Sequence, residues 1–323
     1  MQNAVHFKNN LALRIRQTRR RILARIVCVG ILLFPIWVVV LAWSLIKTYR
    51  WRSLGLCRRF IKRHHLAFEG LDPATLSVRQ ISGGLNNLNE IWRMRDAAGR
   101  EVEFYAKVFL PLGSLWAQVN AMASPFPFVH DGKMEERFTV DLMSRAQLAE
   151  KGIAVPRLVA FGAREKVMVT EHLKGLVVDD VLKDAAQRGV LSEEEAVMIR
   201  ECGRGLGKIH AGGFSLIDTQ PVNCIWIPER REVCFLDMEF CTRADYRVWD
   251  AAFFLISVII RLPAQCVTAA RAHFVEGYQS TRPIDWSQID RLDHRLREYI
   301  PIFLTILDIR QFTAGGFFRE LMR

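Results

Sequence analysis

Between residues 66 and 170 the chain alternates apolar and polar positions in short runs, the period of half-buried strands. Leu76–Ile81 alternates until Ser82-Gly83-Gly84 breaks it, Glu90–Met94 resumes, and Glu101–Phe109 follows a turn signal at Asp96–Gly99. Residues 111–134, with Pro111, Gly113, Pro125 and Pro127, carry no period. The spacing of Phe138, Leu142, Met143, Ala146 and Leu148 predicts a helix over 135–151, stopped by Gly152. Val155–Val159 and Lys166–Thr170 predict two more strands. The expectation is an antiparallel arrangement of five strands, with one helix inserted after the third.

From Glu171 onward the pattern turns helical. Ser192, with Glu195 three residues on, is a capping box that opens a helix running to about His210 and ending at Gly212-Gly213. A short hairpin is expected at Cys224–Ile227 and Val233–Leu236. Trp249–Arg261 is strongly apolar, and further helices are expected over 264–280 and 286–310. Strands first and helices second predict an α+β class.

A different signal precedes the alternation. Ile26–Ile46 is a run of 21 residues without a charge. As a helix it would extend about 31 Å, the thickness of a hydrocarbon core. Trp37 and Trp43 suit interfacial positions. Basic residues flank the run equally on both sides, so the charge asymmetry that orients a span is absent. Two arrangements fit: a spanning helix, or a re-entrant hairpin kinked at Pro35 that leaves both flanks on one anionic leaflet. Lys47-Thr48-Tyr49-Arg50 does not resemble a signal-peptide cleavage site.

Charge sharpens this division. Residues 1–65 hold fourteen of the 45 Lys and Arg residues and no Asp or Glu. The remaining 31 basic residues face 34 acidic ones, so the formal +11 belongs to the N-terminal appendage. The expected partner of the basic flanks is anionic lipid, and no nucleic-acid partner is expected. A composition of 50% hydrophobic and 24% charged residues excludes a wholly disordered chain. The seven cysteines are widely spaced without a C-x-x-C pair, which argues for reduced thiols rather than a disulfide framework or structural zinc.

Four polar groups carry the candidate chemistry. Lys107 lies on the third strand, on one face with Tyr105 and Phe109. A lysine on a half-buried strand needs an anion, although an edge-strand lysine would need none. The following helix offers Glu135, Glu136 and Asp141 as partners. Asp218-Thr-Gln-Pro-Val-Asn223 places a carboxylate and an amide five residues apart in a loop. Asp237 ends an apolar strand, where a bare carboxylate is costly without a cation. Mg²⁺ suits oxygen ligands from Asn223, Asp237 and nucleotide phosphates, which leaves Asp218 to accept a proton from a hydroxyl.

In order and spacing this set resembles the protein-kinase-like superfamily, and more closely its lipopolysaccharide (Kdo/heptose) kinase and small-molecule phosphotransferase branches. The resemblance covers about residues 66–260. It implies a two-lobed fold, with an antiparallel N-lobe over 66–170 and a mostly helical C-lobe over 171–323. Upstream, a basic tail over 1–25, a membrane helix over 26–46 and a basic juxtamembrane segment over 47–65 lie outside it. It implies that Gly83 and Gly84 cover the nucleotide, that Lys107 holds the α- and β-phosphates against Asp141 or Glu136, and that Glu171 begins the hinge. It further implies Asp218 as the catalytic aspartate, Asn223 and Asp237 as metal ligands, and Asp250 as a buried brace of the catalytic loop. ATP and Mg²⁺ are the implied cofactors. The sequence departs from the protein-kinase pattern in its two-glycine turn, in Leu216 where that pattern has His, and in Met238-Glu239 after Asp237. Asn86, Asn87 and Asn89 are available to supply polar contacts near the turn.

The expected function is a kinase at the cytoplasmic side of an inner membrane, with a lipopolysaccharide-type sugar or lipid-linked hydroxyl as acceptor. A protein serine/threonine kinase and a nucleotide-binding pseudokinase scaffold are the alternatives. Gly203-Arg-Gly-Leu-Gly-Lys208 mimics a phosphate loop but falls inside a predicted helix. His210 reads as a helix-end histidine or a neighbour of the catalytic loop.

Overall fold

The computed structural model describes residues 54–83, 87–110, 127 and 129–285. The apolar run 26–46, the tail before it, Gly84 and the helix expected over 286–310 lie outside them. Among the described residues, no helix is long and apolar enough to cross a membrane.

The alternating runs form one antiparallel sheet. Its strands are β1 (Leu71–Gly83), β2 (Asn87–Asp96), β3 (Glu101–Phe109), β4 (Leu158–Gly162) and β5 (Val167–Glu171). Their spatial order is β1-β2-β3-β5-β4. β3 is therefore the central strand, with Lys107 opposite Asn89 on one side and Met168 on the other. This excludes the edge-strand reading of Lys107, because a central strand exposes no margin to water. Pro73 interrupts β1, which tolerates it because β1 is an edge with a register shift between Asp72 and Ser77.

Both faces of the sheet are covered. Helix α1 (Leu54–Arg63) buries Cys57, Phe60 and Ile61 against Trp92, Phe104, Val108 and Val169. Its outer face exposes Arg58, Arg59, Lys62 and Arg63. The hydrophobic core of the sheet thus begins upstream of residue 66, where a basic juxtamembrane segment was expected. The apolar residues of α1 recur at helical spacing, but the surrounding charges obscure them in the sequence. On the opposite face, α2 (Met134–Glu150) packs Phe138 against Phe109 and Met168.

After β5 come β6 (Leu176–Val177), α3 (Val178–Arg188) and α4 (Glu193–Ala211). The hairpin β7 (Cys224–Ile227) and β8 (Glu232–Phe235) joins β6 in a second sheet of order β6-β7-β8. Helices α5 (Arg247–Arg261) and α6 (Ala264–Gln279) follow. The capping box forms as expected: Glu195 N donates to Ser192 Oγ at 3.3 Å, and Ser192 N donates to Glu195 Oε2 at 2.8 Å. β6 is two residues long and has no period, so the sequence did not announce it.

The glycines of 203–207 are a packing device. A Cβ on Gly203 would lie 2.1 Å from the Phe274 carbonyl oxygen, and one on Gly277 would lie 1.8 Å from the Arg200 carbonyl oxygen. α4 and α6 approach backbone to backbone only because neither helix carries side chains there. The resemblance of 203–208 to a phosphate loop is thereby accounted for.

Candidate active site

Three elements converge on Lys107. β3 brings its ammonium from the sheet centre, α2 brings Asp141, and the segment after β8 brings Asp237 and Glu239. Lys107 Nζ lies 2.9 Å from Asp141 Oδ2, 2.9 Å from Asp237 Oδ1 and 3.3 Å from Glu239 Oε2. Lys107, Asp141 and Glu239 are buried. Of the acids offered by α2, the partner is Asp141 and not Glu136 or Glu135. Phe138 fixes the rotation of the helix against the sheet, and Asp141, one turn on, shares its inward face.

Burial opposes charge on Lys107, but Asp141, Asp237 and Glu239 together hold its ammonium well above the ordinary lysine range. Burial likewise opposes charge on Asp237. The neighbouring Lys107 and the Glu239 N–H override it and hold that carboxyl below the usual range. Arg145 completes the cluster. One of its amino groups, Nη2, reaches Asp141 Oδ1 at 2.8 Å and the Leu236 carbonyl at 2.7 Å, tying α2 to the residue before Asp237.

A second buried cation lies alongside. Arg137, wholly inaccessible to solvent, donates to Asn87 Oδ1 at 3.1 Å, to Glu239 Oε2 at 3.2 Å and to the Gly132 carbonyl at 3.0 Å. Asn87 Nδ2 donates to Glu239 Oε2 at 2.8 Å. His130 is fixed as a neutral Nε2–H tautomer: Nε2 donates to the Glu239 carbonyl at 2.7 Å, while Nδ1 accepts the Gly132 N–H at 2.9 Å. Glu239 was singled out from the sequence only as a departure from the protein-kinase pattern, and Arg137 and Arg145 were not singled out at all. Their signal was the spacing Arg137-x₃-Asp141-x₃-Arg145, one face of one helix.

The loop from Leu216 to Asn223 carries Asp218 and Asn223. Ile217 has φ 69°, a left-handed conformation that β-branched residues avoid. It persists because both of its backbone polar groups are held. Asp250 Oδ1 accepts Ile217 N at 2.8 Å, Asp250 Oδ2 accepts Leu216 N at 2.6 Å, and Trp249 Nε1 donates to the Ile217 carbonyl at 3.0 Å. Thr219 Oγ1 donates to the Asp250 carbonyl at 2.7 Å. His210 is both a helix-end residue, in the last turn of α4, and a buried neighbour of this loop. Its Nε2 donates to Asp250 Oδ2 at 3.0 Å, and its Nδ1 lies 2.6 Å from the Tyr278 hydroxyl. Tyr278 had no sequence signal, because a tyrosine on a helix shows no distinguishing pattern.

Asp218 follows the strained residue and is half-buried. Gln220 Nε2 donates to its Oδ1 at 2.6 Å. Asn223 Nδ2 donates to the Asp218 carbonyl at 3.2 Å, which leaves the Asn223 amide oxygen as a donor of lone pairs. Leu236 N donates to the Asn223 carbonyl at 2.9 Å, so the hairpin brings Asn223 and Asp237 to the same end. An amide oxygen before β7 and an ionised carboxylate after β8 are hard oxygen ligands, a donor set that fits Mg²⁺ completed by phosphates and water.

Three expected site residues remain, of which Gly84 lies outside the described residues. Gly83 ends β1 opposite Leu88. Glu171 ends β5, where its Oε1 accepts Arg157 N at 2.9 Å, and it takes no part in the Lys107 cluster. A cleft of about 480 Å³ between α3, the start of α4 and Trp226 contains none of the expected site residues.

No family model matches the chain, and no curated protein matches it. A solved structure described as WaaP in complex with acyl carrier protein is similar at TM-score 0.45 and 14% sequence identity, over 73% of this chain and 91% of that chain.

Proposed function

We propose that the chain is an ATP-dependent phosphotransferase that delivers the γ-phosphoryl group to a hydroxyl acceptor. The observation that carries this reading is the convergence of a buried lysine, a strand-end aspartate and a braced aspartate–asparagine loop. Lys107, held against Asp141, would meet phosphate oxygens. Asn223 and Asp237 would hold Mg²⁺, which when bound neutralises phosphate charge. Asp218 accepts the proton of the acceptor hydroxyl. The freed oxygen forms its bond to the γ-phosphorus as the bond to the ADP oxygen breaks, and ADP leaves with that electron pair. The protein's contribution is positioning and charge placement. The brace on Ile217 keeps Asp218 from rotating out of line.

The acceptor we favour is a lipopolysaccharide-type sugar or another lipid-linked hydroxyl at a membrane. The 21-residue apolar run and its basic flanks support that location, and so does the exposed basic face of α1, eight residues after the run. The body then lies on the cytoplasmic side, where ATP is available.

Incubating the purified chain with labelled ATP, Mg²⁺ and a membrane extract tests this. The native protein is expected to label a glycolipid. Asp218→Ala is expected to slow transfer by roughly 10²–10⁴-fold, the usual share of a general base. Asp237→Ala is expected to abolish transfer. Label on protein alone would redirect the acceptor. Nucleotide binding with no transfer to any fraction would leave a pseudokinase.

A further inference from the structure

An ammonium has three N–H donors, and three carboxylates from α2 and the segment after β8 surround that of Lys107. A phosphate oxygen can reach this nitrogen only if one of them gives way. The three are not equivalent. Asp141 lies at 2.9 Å and is held from behind by Arg145 at 2.8 Å. Asp237 lies at 2.9 Å and its same oxygen accepts the Glu239 N–H at 3.2 Å. Glu239 is the most distant, at 3.3 Å. It also has the best alternative partners, because the same Oε2 accepts Asn87 Nδ2 at 2.8 Å and Arg137 Nη1 at 3.2 Å. Leaving Lys107 costs Glu239 least.

Resting on the phosphotransferase reading above, we infer that Glu239 is a positioning residue that exchanges with nucleotide phosphate on Lys107. On nucleotide binding the carboxylate passes from Lys107 to Asn87 and Arg137 alone. Asn87 is the first residue of β2, directly after the glycine turn expected to cover the nucleotide. Arg137 makes the transfer possible, since a buried carboxylate released from one cation needs another within reach. Protein kinases of the usual pattern have glycine where this chain has Glu239 and so lack such a group.

Two variants with opposite expected signs test the exchange by equilibrium titration of Mg–ATP. Glu239→Gln removes the charge that competes for Lys107 but keeps an acceptor for Asn87. It is expected to bind Mg–ATP roughly three- to tenfold more tightly, a difference of about one kcal/mol. Asn87→Ala removes the nearer of the two alternative partners, so Glu239 leaves Lys107 less readily. It is expected to bind Mg–ATP roughly threefold more weakly. A purely structural role for the cluster would weaken binding in both variants, and that result, or no change in either, overturns the exchange. Native protein that binds no Mg–ATP would instead overturn the phosphotransferase reading itself.

Discussion

Lys107 keeps its charge in a place where burial alone would remove it, and its neighbours determine over what pH range it does so. The Asp237 carboxyl is held below its ordinary value, so its contribution to stability is complete above the unfolded-state value of about 4. It is lost as the pH falls through the lower native value. The Lys107 ammonium is held above its ordinary value, so its contribution is complete below about 10.4. It is lost as the pH rises through the higher native value. Glu195 adds to the acid side: burial opposes its charge, but the Ser192 N–H and Arg188 lower it. Urea midpoints are expected to be level between about pH 5 and 9 with respect to these groups and to fall below pH 4. A midpoint that climbed from pH 6 to pH 3 would contradict the cluster. The sequence supplied Lys107, Asp141 and Asp237 but left Glu136 open. Which acid faces a strand depends on the rotation of a helix about its axis, and Phe138 packing on Phe109 decides that.

At the scale of elements, the α4–α6 crossing makes a sharp demand. Gly277→Ala would drive a methyl group to 1.8 Å from the Arg200 carbonyl oxygen, which belongs to a helix backbone and cannot rotate away. The helices must separate, at a cost of about 1–3 kcal/mol or more. Gly205→Ala meets the edge of the Phe235 ring at 2.8 Å, a side chain with some freedom to shift. Urea denaturation is expected to place Gly277→Ala well below Gly205→Ala. Equal midpoints would show that the crossing relaxes. Most elements were legible because period two and period 3.6 differ clearly over five or more residues. α1 was hidden by its charges and β6 by its length. The position of β3 at the sheet centre was not in the local pattern at all, since strand order depends on pairings between distant segments.

For the molecule as a whole, the cysteines report cohesion. Cys57 lies on the buried face of α1 in the core of the sheet, while Cys202, Cys224, Cys241 and Cys266 lie in the helical core. Burial raises the Cys57, Cys234 and Cys241 thiols to about 12, so little thiolate exists near neutral pH. These cysteines are expected to resist a thiol reagent until denaturant unfolds the chain. Cys57 would then react independently of Cys202 only if the sheet and the helical core unfold separately, which site-resolved labelling along a urea gradient would reveal.

The sequence by itself determined the chemistry available and its order along the chain: one strand lysine, one acid helix, an aspartate–asparagine loop and a strand-end aspartate. It could do so because those residues are polar where their surroundings are apolar, and burial makes such exceptions conspicuous. Only the tertiary structure decided which groups meet. It placed Asp141 rather than Glu136 on Lys107, and set Glu239 as a third acid beside it. It also closed the His210–Asp250–Tyr278 brace behind the loop. Those contacts join segments up to 152 residues apart, as between Asn87 and Glu239. Nothing in local spacing encodes them, because they are set by how a sheet, a helix and a hairpin pack around one buried charge.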